Sequence, residues 1–205
     1  DHYSIFMENN ARYVECCTAG ERAGTYYTCV NSFLTADELA YILNNSASKV
    51  LITSQAKRDV AFAALAHCPG IALCIVVDGP GGGSAGGATI VNLAEATSGL
   101  PATPIADESL GTAMLYSSGT TGRPKGIVRP LAEQPPSQLL PIFSFLLKLW
   151  QYREGMIYLS PAPLYHSAPQ AAVNLTIRMG GTVIIMERFD PEHYLQLIEK
   201  YRVTH

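Results

Sequence analysis

LTADELAYILNNSASKVLITSQAKRDVAFAALAHCPGIALCIVV, residues 34–77, holds two successive helix–strand units. Thr35-Ala36-Asp37-Glu38 has the form of a capping box, in which a hydroxyl meets the first free helix amides and a carboxylate reaches back. It opens a helix whose Leu39, Ile42 and Leu43 share one face. Lys49 to Thr53 then reads as a strand, Gln55 to His67 as an alanine-rich helix and Ile71 to Val77 as a buried strand. Short apolar strands that alternate with helices pack as a parallel sheet covered on its faces. The expected class is therefore α/β, with a mostly parallel sheet flanked by helices.

The same alternation extends in both directions. Upstream, Tyr3 to Met7 reads as a strand, and Ala11 to Ala23 as a helix with Tyr13, Val14 and Cys17 at core spacing. Gly24 ends that helix, and Tyr26 to Val30 is β-rich. Downstream, Gly79 to Gly87 breaks the pattern with a formal G-x-G-x-x-G at Gly81, Gly83 and Gly86. A dinucleotide fingerprint needs a helix opening directly from its glycines, whereas Ala88 to Val91 looks extended, so this segment reads as a flexible loop. A polar connection runs to Ser109, and Thr112 to Tyr116 resumes as a strand. A long helix is expected over Pro135 to Tyr152, with Leu139, Phe143, Leu146, Leu147 and Trp150 inward. Met156 to Leu159 (strand), Ala168 to Met179 (helix) and Thr182 to Met186 (strand) follow. Asp190-Pro191 supplies an N-cap and a first-turn proline for a last helix to Tyr201. No internal repeat is visible.

A hydrophobic content of 48% against 15% charge marks a chain that buries a real core. The formal charge of -3, without a run of either sign, points away from nucleic-acid and membrane-surface binding. The longest apolar stretch, Leu139 to Leu149, is interrupted by Pro141, Ser144 and Lys148 and is too short for a transmembrane segment. No cleavable signal pattern opens the sequence. Cys16, Cys17, Cys29, Cys68 and Cys74 form an odd set without C-x-x-C spacing, which reads as reduced, buried thiols in a cytoplasmic protein. The chain begins at Asp1 without methionine and closes on Val203-Thr204-His205, which reads as a strand at its start. Both ends are expected to lie inside a longer chain.

The chemistry is concentrated in Tyr116-Ser117-Ser118-Gly119-Thr120-Thr121-Gly122-Arg123-Pro124-Lys125-Gly126. Glycines let backbone amides approach an anion closely, successive amides make a concave anion nest, and hydroxyls add hydrogen bonds. Lys125 adds a mobile positive charge, and Pro124 restricts the backbone before it. A polyphosphate calls for this combination, whereas an ordinary surface turn needs only its glycine, serine and threonine content. The Walker A pattern is excluded, because the lysine is followed by Gly126-Ile127 instead of a hydroxyl residue.

This string closely resembles the signature phosphate loop of the adenylate-forming superfamily, in the form used by its acyl-CoA synthetase branch. Leu34 to Leu43 with Lys49 to Thr53, Pro163-Leu164-Tyr165-His166-Ser167, Phe189-Asp190-Pro191 and Tyr201 to His205 resemble further stretches of these enzymes. The resemblance implies that residues 1–205 are part of a large N-terminal AMP-binding domain, with the C-terminal domain absent. It implies that Ser117, Ser118, Gly119, Thr120, Thr121, Gly122 and Lys125 bind the phosphates of ATP, and that Ser117 also ligates Mg2+. His166 would lie near the carboxylate pocket; read from its local sequence alone it is a packed histidine at a strand-to-loop junction. His2, His67, His193 and His205 show no ligand spacing.

The implied reaction joins a carboxylic acid to ATP as an acyl-adenylate with release of pyrophosphate, then passes the acyl group to coenzyme A. A fatty or other hydrophobic acid is the implied substrate, and a homodimer the implied assembly. Acyl transfer to a carrier protein, and a truncated non-catalytic homologue, stay open. Val128-Arg129-Pro130 stands where family members often carry a histidine, so no role transfers there. The family's aromatic-Gly-x-Thr-Glu motif, its ribose-binding aspartate and its adenylation lysine have no counterpart in residues 1–205. The resemblance thus assigns no catalytic residue to this stretch and implies that it is inactive alone.

Overall fold

The computed structural model of the chain describes residues 1–117 and 123–205. It divides into two compact units, one formed by Asp1–Glu8 with Ala19–Pro136 and the other by Asn9–Thr18 with Ser137–His205.

In the first unit, strands β1 (His2–Phe6), β2 (Tyr26–Cys29), β3 (Val50–Thr53), β4 (Leu73–Val76), β5 (Ser84–Ala85), β6 (Ala88–Asn92) and β7 (Thr112–Ala113) form one sheet. Its order is β5-β6-β4-β3-β1-β2-β7, with every pairing parallel except β5–β6. The central strands are apolar without strict alternation because helices cover them, and Ile5, Phe6, Leu51 and Val76 are buried. Helices α2 (Ala36–Asn45) and α3 (Arg58–Leu65) follow β2 and β3, and their Leu39, Ile42, Leu43 and Leu65 join that core. The hydroxyls that burial traps are paired: Ser48 bonds both Ser4 (2.7 Å) and Ser46 (2.8 Å), and Thr53 Oγ1 donates to the Phe6 carbonyl at 2.8 Å.

The capping box forms as expected. The Thr35 amide donates to Glu38 Oε2 at 2.8 Å, and the Glu38 amide donates to Thr35 Oγ1 at 3.4 Å. The predicted helix from Gln55 is a 3-10 turn at Gln55–Lys57 continuing as α3, which ends at Leu65 instead of His67. Helix α1 (Ala11–Arg22), whose Tyr13, Val14 and Cys17 are buried, stops before Gly24. Gly24 has φ +63, and a Cβ there would collide with Ser109 Oγ.

Three expectations are corrected. The Gly79 to Gly87 segment is not loop throughout: the Gly82 amide donates to the Ile90 carbonyl at 2.9 Å, and the Ile90 amide donates to the Gly83 carbonyl at 3.1 Å. Its Ser84–Ala85 pairs with β6, and a short helix α4 (Leu93–Thr97), capped by Asn92, follows. The strand read over Thr112 to Tyr116 divides at the buried Met114. Its first part, β7, extends the large sheet; its second, β8 (Leu115–Ser117), leaves it to pair antiparallel with β9 (Lys125–Ile127).

The third correction concerns the second unit. The long helix read over Pro135 to Tyr152 is α5, Pro141–Leu149. Proline inside a helix lacks an amide hydrogen and clashes with the preceding turn, so Pro141 can only start this helix. Gln151, in the left-handed region at φ 55, ends it. Phe143, Leu146 and Leu147 are half-buried, but Trp150, expected inward, is exposed. Strands β10 (Ile157–Ser160) and β11 (Thr182–Ile185) pair in parallel around helix α6 (Ser167–Arg178). Helix α7 (Pro191–Tyr201) begins at Asp190, whose Oδ1 accepts from the His193 amide at 2.7 Å. The following residues run beside β10, with the Thr204 amide donating to the Ile157 carbonyl at 2.9 Å.

Candidate functional site

The β8–β9 hairpin carries the hydroxyl-rich string identified in the sequence. Ser117 and Lys125 are register partners across it, as are Tyr116 with Gly126 and Leu115 with Ile127. The pairing brings the first hydroxyl and the lysine of the string to the same end of the hairpin, both exposed. Ser118, Gly119, Thr120, Thr121 and Gly122 lie outside the described residues. Among the described residues the ion pairs are Arg12–Glu15 and Arg22–Glu108, so the Lys125 ammonium is not neutralised by a carboxylate there.

Helix α2 touches β8 and the residue just before β9. Tyr41 Oη donates to the Pro124 carbonyl at 3.0 Å, and Tyr116 Oη donates to Asn45 Oδ1 at 2.7 Å. The Arg123 guanidinium lies over the Tyr41 ring, 5.2 Å from its centroid. Burial first, and the neighbouring Tyr41 second, push the Tyr116 hydroxyl up to about 12, so at neutral pH it stays protonated and able to donate. Gly126 leaves room for this arrangement, since a Cβ there would run into Met114 Cε and crowd Tyr116. Beside these contacts lies an open cleft of about 760 Å³, lined among others by Leu34, Asp37, Asn44, His67, Arg123 and Pro124.

In the second unit, His166 is the N-cap residue of α6, with extended backbone and no side-chain cap bond. It is exposed, and its ring centroid is 4.6 Å from that of Tyr165. The loop before it is held by Asn9, a residue the sequence did not single out. Asn9 Nδ2 donates to the Ala162 carbonyl at 3.0 Å and the Met186 carbonyl at 3.1 Å, and its Oδ1 accepts from the Leu164 amide at 2.8 Å. A buried amide with three backbone partners fixes a loop's path.

Among the described residues, no group of three or more His, Cys, Asp or Glu side chains is placed to hold a metal ion. The described contribution to a Mg2+ site would be the single Ser117 hydroxyl, which fits a Mg2+ carried mainly by phosphate oxygens and water.

The sequence profile of the family described as AMP-binding enzyme matches residues 1–205. The chain belongs to this family. Among curated relatives, the 4-coumarate–CoA ligase 5 of Oryza sativa subsp. japonica is 32% identical over 98% of this chain and 36% of its own length. The long-chain-fatty-acid–CoA ligase FadD13 of Mycobacterium tuberculosis is 29% identical over 99% of this chain and 38% of its own. These relatives place the chain in the acyl-CoA synthetase branch. The chain thus spans less than two fifths of the length of these two curated relatives. Among solved structures, the inhibitor-bound N-terminal domain of FACL13 from M. tuberculosis superposes with a TM-score of 0.77 at 26% identity, covering 99% of this chain and 48% of that one. MatB from Rhodopseudomonas palustris gives 0.72 at 26% identity, over 100% and 38%.

The five cysteines are buried and form no disulfide, matching their reading as thiols. Among the described residues no helix is long and apolar enough to cross a membrane.

Proposed function

We propose that the protein of which this chain is part activates a carboxylic acid with ATP and transfers the acyl group to coenzyme A. The observation that carries this reading is a family match over all 205 residues that includes the string from Tyr116 to Gly126. In the first half-reaction the carboxylate oxygen attacks the α-phosphorus of ATP and pyrophosphate leaves. The chemical demand is to hold the triphosphate and neutralise charge on the leaving group. Ser117, Ser118, Thr120 and Thr121 supply hydroxyls, Gly119 and Gly122 permit close backbone approach, and Lys125 supplies positive charge. Ser117 would be this chain's ligand to a phosphate-borne Mg2+, which would supply further neutralising charge. His166 faces the carboxylate substrate in this proposal.

The substrate is an acid with a hydrophobic tail, and the fatty class is the reading put forward. Support comes from FadD13, named for long-chain fatty acids, while the 4-coumarate ligase makes an aromatic acid the competing class. Residues 1–205 form part of the N-terminal AMP-binding domain and are inactive alone, because adenine, ribose and adenylation-lysine functions have no counterpart in them. The compartment proposed is cytoplasmic, and the assembly a homodimer.

The test is carboxylate-dependent ATP–pyrophosphate exchange by the full-length gene product, assayed with short, medium, long and aromatic acids. Exchange with one class, abolished by Lys125→Ala combined with Thr120→Ala, establishes adenylation and names the substrate class. Absence of exchange with every acid from a folded, Mg2+-supplied protein removes this reading in favour of an acid outside these classes or a non-catalytic homologue. Exchange followed by transfer to a carrier protein but not to coenzyme A corrects the acceptor. Pyrophosphate release by residues 1–205 alone overturns the proposed inactivity.

A further inference from the structure

We infer that Tyr41 and Asn45 are positioning residues for ATP, acting through the hairpin ends that carry Lys125 and Ser117. The inference rests on the proposed phosphate-binding role of those two residues. Its basis is geometric. Tyr41 and Asn45 stand four residues apart on α2, and side chains at that spacing lie on one face of a helix, one turn apart. One of them reaches β8 and the other the residue just before β9.

Just before the exit strand, the Tyr41 hydroxyl donates to the carbonyl of Pro124, the residue immediately before Lys125. On the entry strand, Asn45 Oδ1 accepts from Tyr116, the residue immediately before Ser117. Each contact is thus one residue from a proposed phosphate ligand, and the two ligands are themselves register partners. Arg123 over the Tyr41 ring adds a third contact on the exit side.

Helix α2 is a firm base for such contacts. Its N-terminus is closed by the capping box, and Leu39, Ala40, Ile42 and Leu43 are buried in the core of the first unit. Binding groups held in place before the ligand arrives lose less freedom when it binds, and small displacements of such groups are costly. Removing the two side-chain contacts frees the hairpin end without touching a phosphate ligand.

The test uses the full-length gene product and compares three variants: Tyr41→Phe with Asn45→Ala, Lys125→Ala, and all three together. The expected result for the Tyr41/Asn45 pair is a KM for ATP raised roughly tenfold. The KM for the carboxylic acid stays unchanged, and the thermal midpoint falls by no more than about 3 °C. On the Lys125→Ala background the pair adds less than it does alone, because its Tyr41 arm acts through the group already removed while its Asn45 arm still acts through Ser117. If Lys125→Ala leaves the KM for ATP unchanged, the phosphate-loop reading fails and this inference falls with it. If Lys125→Ala raises that KM but the pair does not, the positioning inference alone is overturned. Full additivity of the pair with Lys125→Ala overturns it too, as does a rise in both KM values together with loss of folded protein.

Discussion

At the scale of single residues, the two sites differ in how far their sequence announces them. Ser117 and Lys125 stand in a contiguous string whose composition already describes an anion site, and the structure adds that they are register partners. Asn9 carries no such signal. Its partners Ala162, Leu164 and Met186 lie 153, 155 and 177 residues away, and only folding brings them together. In sequence, Asn9 is one polar residue after a strand. Its contribution is testable: Asn9→Ala leaves two carbonyls and one amide without their partner in a site where Asn9 itself is only 9% exposed. A loss of about 2 kcal/mol in urea-unfolding free energy is expected, larger than an average point substitution. In the full-length protein, Asn9→Ala should also raise the KM for the carboxylic acid more than that for ATP, because the loop it holds leads to His166. A loss below about 0.5 kcal/mol would mean that water replaces all three bonds.

At the scale of elements, local chemistry decides what can be read in advance. Helix α2 is legible because its start signal lies within four residues, Thr35 to Glu38, and its apolar face repeats at helical spacing. Removing the cap by Thr35→Ala should lower stability by about 1 kcal/mol, measured by chemical denaturation. The carboxyl of Glu38 is held below its usual range, first by the Thr35 backbone amide and then by the Thr35 side chain. Thr35→Ala keeps the backbone amide and removes only the side-chain bond, so in an NMR pH series it should move the titration part of the way back towards ordinary values; an unmoved titration would show that the hydroxyl takes no part in holding it down. Helix α5 shows the opposite case. An apolar helical period extends past its true start, but Pro141 sets a boundary that periodicity alone ignores. The hairpin was half legible: β8 reads as a strand, while β9 has only Lys125, Gly126 and Ile127, too few residues for a pattern.

At the scale of the whole molecule, the order of the large sheet is the least local property and the class of the sheet the most legible. Buried apolar strands alternating with helices imply parallel pairing, yet nothing in a strand's own residues says that β1 lies between β3 and β2. Burial in that first unit has a consequence at alkaline pH. The Cys74 thiol is completely buried, and that burial pushes it from 9.0 up to about 12, while Tyr116 is pushed from 10.0 to about 12. Both groups are neutral when protonated, and both are harder to ionise in the folded chain than in the unfolded one. The unfolded state therefore loses their protons first as pH rises, and ionisation favours unfolding. Their contribution to stability is complete below pH 9.0 and is lost as pH climbs through about 12. Urea midpoints measured from pH 7 to 11 should hold steady at first and then fall. Cys74→Ala changes the level by altering packing, so the slope is the informative quantity: it should become shallower above pH 9.0. An identical alkaline slope in the Cys74→Ala chain would show that the thiol is not what the folded state keeps protonated, and would leave Tyr116 and the other buried phenols to carry the effect.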